Sequence, residues 1–161
     1  MPTTAPSCMR HSPTYTTLLI RLSFMLISVT IICLSLSGTT LYSHERAECV
    51  LCGMWIDQNE HTRHMIRFED DSTVDFCSFA CLAKYLKNNH KKITRIEAAD
   101  FLTTRMINVY NAYYLEGSDV PGVMSNISRI AFLELSAIKK FQKKHGGRIV
   151  SFKRALKNEL Y

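Results

Sequence analysis

Cys49-Val50-Leu51-Cys52-Gly53-Met54 and, further along, Phe76-Cys77-Ser78-Phe79-Ala80-Cys81 are the two stretches on which the reading of this chain turns. The first has the C-x-x-C spacing, in which a tight turn aims two thiolates at one centre. In the second, Cys77 and Cys81 stand one helical turn apart, so both sulfurs fall on one helix face. Together the four can supply a tetrahedral ion with thiolates, and three readings compete. A zinc knuckle joins one pair on a turn to another at a helix start. Disulfides suit an oxidising compartment, although a Cys77–Cys81 bridge within a regular helix is awkward and cross-pairing is easier. The third is carriage of a soft metal: copper(I) takes thioether as well as thiolate sulfur, and Met54 follows Cys52 by two residues. Spacing alone orders these as zinc, disulfide, copper.

Working outward, the 161 residues suffice for one ordinary domain or two small half-domains sharing a core. Hydrophobic residues at 47% and charged residues at 21% are a globular balance. The net charge of +6 sits largely in residues 84–95 and 139–157. It reads as solvated basic helix faces, with attraction to anionic lipid headgroups as the functional alternative. No nucleic-acid-reading motif is present, so no nucleic-acid partner is expected.

The N-terminus directs the chain out of the cytoplasm. Arg10 and Arg21 precede an uncharged run over residues 22–36, followed by small residues at Ser37 and Gly38. Residues 1–42 therefore read as a signal peptide or a membrane anchor helix, with Cys8 and Cys33 excluded from the fold. Residues 43–161 then form an extracytoplasmic metal-binding domain.

Within that domain, residues 65–68 read as a strand, 69–72 as a turn and 74–88 as an amphipathic helix. Strands follow at 93–96, 106–115 and 128–133, with a turn-rich loop at 116–122. A second helix over 135–145 ends at Gly146-Gly147, and 148–152 closes as a strand. Superposing Tyr85 on Phe141 brings Phe76 onto Phe132 and Ile93 onto Ile149. The fold class expected is α+β, with two related modules packed together, about 49–105 and 106–156.

Cys49-Val-Leu-Cys52-Gly-Met54 resembles the signature of the nitrous oxide reductase accessory protein family, NosL. Residues 111–118, Ala131-Phe132 and the segment His145-Gly146-Gly147 to Phe152 resemble that family's later strand, turn and C-terminal module. The resemblance implies paired ββαβ modules and a copper(I) chaperone serving nitrous oxide reductase maturation. It implies a soft-ligand set drawn from the Cys-Gly-Met motif and a methionine in a Pro-Met-Gly loop. Here that loop reads Pro121-Gly122-Val123-Met124, so Met124 is the counterpart, displaced from the proline. Cys77 and Cys81 depart from the family pattern. With Cys49 and Cys52 they are similar to the small metal-trafficking domains of the TRASH and YHS type.

The favoured donors are Cys52, Met54 and Met124, with Cys49 as fourth ligand or relay; the alternative is a closed Cys49, Cys52, Cys77, Cys81 set. The cofactor expected is copper(I), with zinc in a structural interaction module as the alternative. An extracytoplasmic cuproprotein and a membrane copper transporter are the expected partners. No enzyme motif stands out, and a thiol–disulfide oxidoreductase would lack its βαβ context. His61 and His64 read as surface or supporting residues, and His145 as a helix-end residue beside the negative end of the helix dipole.

Overall fold

The computed structural model describes residues 46–160, and the N-terminal signal or anchor segment lies outside them. Two antiparallel sheets carry the fold. A short 3-10 helix (Asp57–Thr62) leads into β1 (His64–Phe68) and β2 (Thr73–Phe76), then helix α1 (Phe79–Asn88), β3 (Ile93–Ala99) and β4 (Met106–Asn108). These strands form a sheet in the order β2-β1-β3-β4. The chain continues through β5 (Tyr113–Glu116), β6 (Arg129–Phe132), α2 (Leu135–His145), β7 (Arg148–Ser151) and α3 (Phe152–Leu160). The second sheet has the order β6-β5-β7.

The internal similarity is visible in this topology. In each half a hairpin is followed by a helix and a strand that returns to the free side of the hairpin's first strand. Phe76 and Phe132 occupy the same place, each ending the strand before its helix, and pair with His64 and Tyr113 respectively. The second hairpin carries a much longer loop, between Glu116 and Arg129, than the first has between Phe68 and Thr73.

Three elements differ from the sequence reading. The helix expected from residue 74 starts at Phe79, because Thr73–Phe76 pairs with β1 and Ser78 caps the helix. The strand expected over 106–115 breaks in two. Asn108 Oδ1 accepts the Tyr110 N–H at 2.9 Å and its carbonyl accepts the Asn111 N–H at 3.0 Å, a turn that asparagine side chains favour. β4 thereby belongs to the first sheet and β5 to the second. Finally, residues 152–160 form α3, with Phe152 and Ala155 buried. Its apolar residues at 152, 155, 156 and 160 already had helical spacing.

The core sits between the halves. Ile66, Phe76, Phe79, Cys81, Leu82 and Ile96 from the first half pack in one cluster with Tyr114, Ala131 and Phe152 from the second. Leu115, Ile130, Phe132 and Ile138 form a smaller cluster under α2. Alternate residues of β5 and β6 thus face opposite ways, and all four residues of β6 are buried. One of them is Arg129. Its guanidinium lies against buried Glu116, Nε to Oε1 at 2.9 Å, and also pairs with Glu159 on α3. Arg148 Nη2 and Asn158 Nδ2 donate to Glu116 at 2.7 and 2.8 Å. This network fastens α3 to the second sheet. Asp100 joins the two halves, its Oδ1 accepting the Leu133 N–H at 2.9 Å while the Phe101 N–H donates to Ala131 at 2.8 Å.

Candidate metal centre

The first cysteine pair rides on a small hairpin closed by the Glu48–Trp55 bridge. The Cys49 N–H donates to the Met54 carbonyl and the Gly53 N–H to the Cys49 carbonyl, both at 2.8 Å. Gly53 takes φ +73, a left-handed turn open to glycine at no steric cost. The Val50 N–H donates to the Asp75 carbonyl at 3.0 Å, which seats this knuckle against β2. The second pair flanks the start of α1. Ser78 is the N-cap residue, its hydroxyl accepting the Cys81 N–H at 3.3 Å. That cap places Cys81 in the first helical turn and Cys77 just before it, where the helix dipole favours thiolate charge.

The two pairs meet. All four Sγ atoms lie within 4.8 Å of one another. Cys52–Cys77 is 3.5 Å, while Cys77–Cys81 and Cys81–Cys52 are 3.7 Å. Four sulfurs each about 2.3 Å from a central ion stand about 3.8 Å apart, so the spacing fits one bound metal. None of the four is bonded to another. Cys49, Cys77 and Cys81 are buried, whereas Cys52 is partly open to solvent.

Their protonation is uneven. Burial alone would raise the Cys49 thiol, but N–H groups of Cys77, Leu51 and Cys52, with help from the Cys52 thiol, bring it down to about 7. Burial pushes Cys77 far above the usual thiol range, the Cys52 hydrogen bond and the Cys81 charge adding to it. Burial also raises Cys81 to about 12, against a lowering hydrogen bond to Ser78. An arriving cation therefore meets a thiolate-prone Cys49 and displaces protons from the deeper pair.

Set beside known proteins, the sequence matches the NosL family over residues 41–160. The chain belongs to the NosL family. Its fold is similar to the crystal structure of the copper chaperone NosL from Shewanella denitrificans, at a TM-score of 0.56 and 22% identity. The match covers 66% of this chain and 87% of that one. No curated protein matches the sequence.

In this NosL-family chain all four cysteines of residues 46–160 gather at one place. Met54, 36% exposed, stands at the surface two residues beyond Cys52. Met124, 46% exposed, lies in the loop of the second hairpin with φ +56. His61 Nδ1 pairs with the Phe101 carbonyl at 2.7 Å, and His145 Nδ1 with Asp119 Oδ1 at 2.8 Å.

Of two residues that support the cluster, His64 reads from the sequence as a surface or supporting residue and Thr62 carries no signal there. Thr62 donates from Oγ1 to the Cys77 carbonyl at 2.7 Å, fixing the backbone of a ligand. The Thr62 carbonyl in turn pairs with His64 Nδ1 at 2.9 Å, and His64 Nε2 with the Tyr114 hydroxyl at 3.1 Å. This chain of contacts ties the thiol cluster to the second half through groups that only the fold brings together.

Burial holds His64 neutral, its pKa lowered to about 4 despite the hydrogen bond to Thr62. An unfolded histidine titrates near 6.5. Between about pH 6.5 and 4 the unfolded chain takes up a proton that folded His64 refuses, so stability falls as pH drops through this window. The loss is on the order of 3 kcal/mol at its lower end. Denaturant melts from about pH 7.5 to 4 should show that slope. A His64→Phe variant, lower in stability throughout, should lose that part of it.

Proposed function

We propose that this chain is a copper(I)-binding accessory protein that accepts the ion at Cys49, Cys52, Cys77 and Cys81 and hands it to an extracytoplasmic cuproprotein such as nitrous oxide reductase. The observation that carries this is the convergence of four cysteine sulfurs within 4.8 Å in a NosL-family chain. An all-sulfur donor set suits a soft monovalent cation. The solved protein of the same fold is described as a copper chaperone.

Cys52 is the exchange position of the centre. It is the one cysteine of the four that is not buried, so an acceptor's sulfur reaches the ion there before the deeper thiolates release it. Met54, 36% exposed, follows Cys52 by two residues on the same knuckle, a thioether close to the open thiolate in sequence. In handover by ligand exchange each metal–sulfur bond to the acceptor forms as one to this chain breaks, with no change of oxidation state, so the role is carriage rather than catalysis. The uncharged run over residues 22–36 supports export, with attachment to the membrane if the run is retained. A membrane copper transporter is the natural donor for such a carrier.

A zinc-stabilised interaction module is the second reading, favoured by sulfur separations close to a tetrahedral edge. Native mass spectrometry of the reduced full chain, offered equal copper(I) and zinc(II), separates the two. The expected product carries one copper ion and no zinc. Retained zinc, with unfolding on chelation, would establish the structural site instead.

A further inference from the structure

The face of α2 that points away from the core bears Lys139, Lys140, Lys143 and Lys144, all exposed. At 3.6 residues per turn these four positions fall within an arc of about 140°. Among the described residues, none of the four takes part in an ion pair. Nearby negative charge is already engaged or lies at the margin. Asp119 is bound to His145, and Glu134 stands at the N-cap of the helix.

Apolar surface flanks the lysines on both sides. Leu135, 38% exposed, borders Lys139. On the other margin a groove of about 490 Å³ is lined by Leu102, Ala137 and Phe141 between the stems of Lys140 and Lys144. Leu102 is 52% exposed. A face that rests on an anionic bilayer uses both, the ammonium groups at headgroup level and the leucines and lysine stems just below.

We infer that α2 is a membrane-contact face that lays the folded domain on an anionic lipid surface. The chain's own layout selects a bilayer over an acidic protein as the occupant. The strongly apolar run ends at Leu36 and the described residues begin at Arg46, and nine residues reach at most about 30 Å even when fully extended. A run retained in the membrane would hold the domain within about its own diameter of the headgroups, where four unpaired lysines meet a negative surface potential. The contact is independent of which metal the thiols hold.

The test uses the full chain reconstituted in bilayer discs of phosphatidylcholine alone or with about 30% phosphatidylglycerol, each probed with an amine-reactive ester. Modification of Lys139, Lys140, Lys143 and Lys144 should slow several-fold in the anionic discs relative to the neutral ones, and recover in high salt. Lys84 and Lys87 of α1 serve as comparators and should change little. A Leu102→Asp variant should lose most of the protection while keeping the wild-type melting temperature. Equal modification of the α2 lysines in both discs, or equal slowing of the α1 lysines, would overturn the inference. Protection that appears only when an acidic protein is added would assign the face to a protein partner and overturn it as well.

Discussion

Replacing Cys81 with serine is expected to weaken copper(I) binding about a hundredfold or more, although Cys81 lies outside the Cys-x-x-Cys-Gly-Met stretch. Structural zinc sites bind with about 10–16 kcal/mol, and on that scale one of four ligands carries about a quarter, near 3 kcal/mol. Such a loss is about two orders of magnitude in affinity. Cys81 is fully buried, 3.7 Å from Cys77 and from Cys52, so the serine hydroxyl would leave a hard donor where a soft ion needs sulfur. Met54→Leu should cost far less, because Met54 lies at the surface. A copper(I) chelator competition measures both variants on one scale. Comparable losses would move the ligand set toward the methionine.

Replacing Glu116 with leucine should cost about 3–5 kcal/mol of stability, the range for removing one partner of a buried ion pair. The loss strands Arg129, whose side chain is 3% exposed, with Glu159 as its remaining carboxylate. It also frees the Asn158 contact that holds α3 against the sheet. Burial by itself would raise the Glu116 carboxyl. Hydrogen bonds from Arg148, Asn158 and Arg129 outweigh it and hold the group below its ordinary value. Its contribution is therefore present at neutral pH and is lost as the pH falls through that lowered value. Arg148→Ala should cost less than about 1 kcal/mol, since that side chain is 68% exposed and its pair is screened. Thermal melts distinguish them: Glu116→Leu should lower Tm by roughly 10–20 °C.

Much of this architecture was legible from residue pattern. The similarity between residues 76–93 and 132–149 identified two related halves, and the structure gives both the same three-strand order, to which the first sheet adds β4. Gly146, with φ +69, ends α2 where a left-handed stop was expected. What escaped was non-local. Residues 74–76 have apolar spacing compatible with a helix, and only pairing with β1 makes them a strand. The division between β4 and β5 depends on an asparagine turn inside an otherwise strand-like run. α3 is the exception: its helical spacing at 152, 155, 156 and 160 is local, and the sequence reading ends instead on a strand through Phe152.

The site was legible in part. Each cysteine pair was visible as a pair, and the possibility of one four-sulfur centre followed from residue chemistry. That the pairs meet depends on Val50 docking against β2 and on the Ser78 cap aiming Cys81 at Cys52, neither of which spacing encodes. The favoured donor set included Met124; the structure gathers Cys77 and Cys81 beside Cys52, and Met124 is 46% exposed in the long loop of the second hairpin. Thr62 and His64 support the cluster through a backbone carbonyl and a buried ring, contacts no motif records.

X-ray absorption at the copper edge, on the copper(I)-loaded full chain and its Cys77→Ser/Cys81→Ser double variant, tests the four-thiol centre most directly. The wild-type spectrum should fit sulfur scatterers alone, and the double variant should lose copper or change its coordination shell. An identical spectrum and copper content in the two proteins would contradict the assignment and place the metal elsewhere.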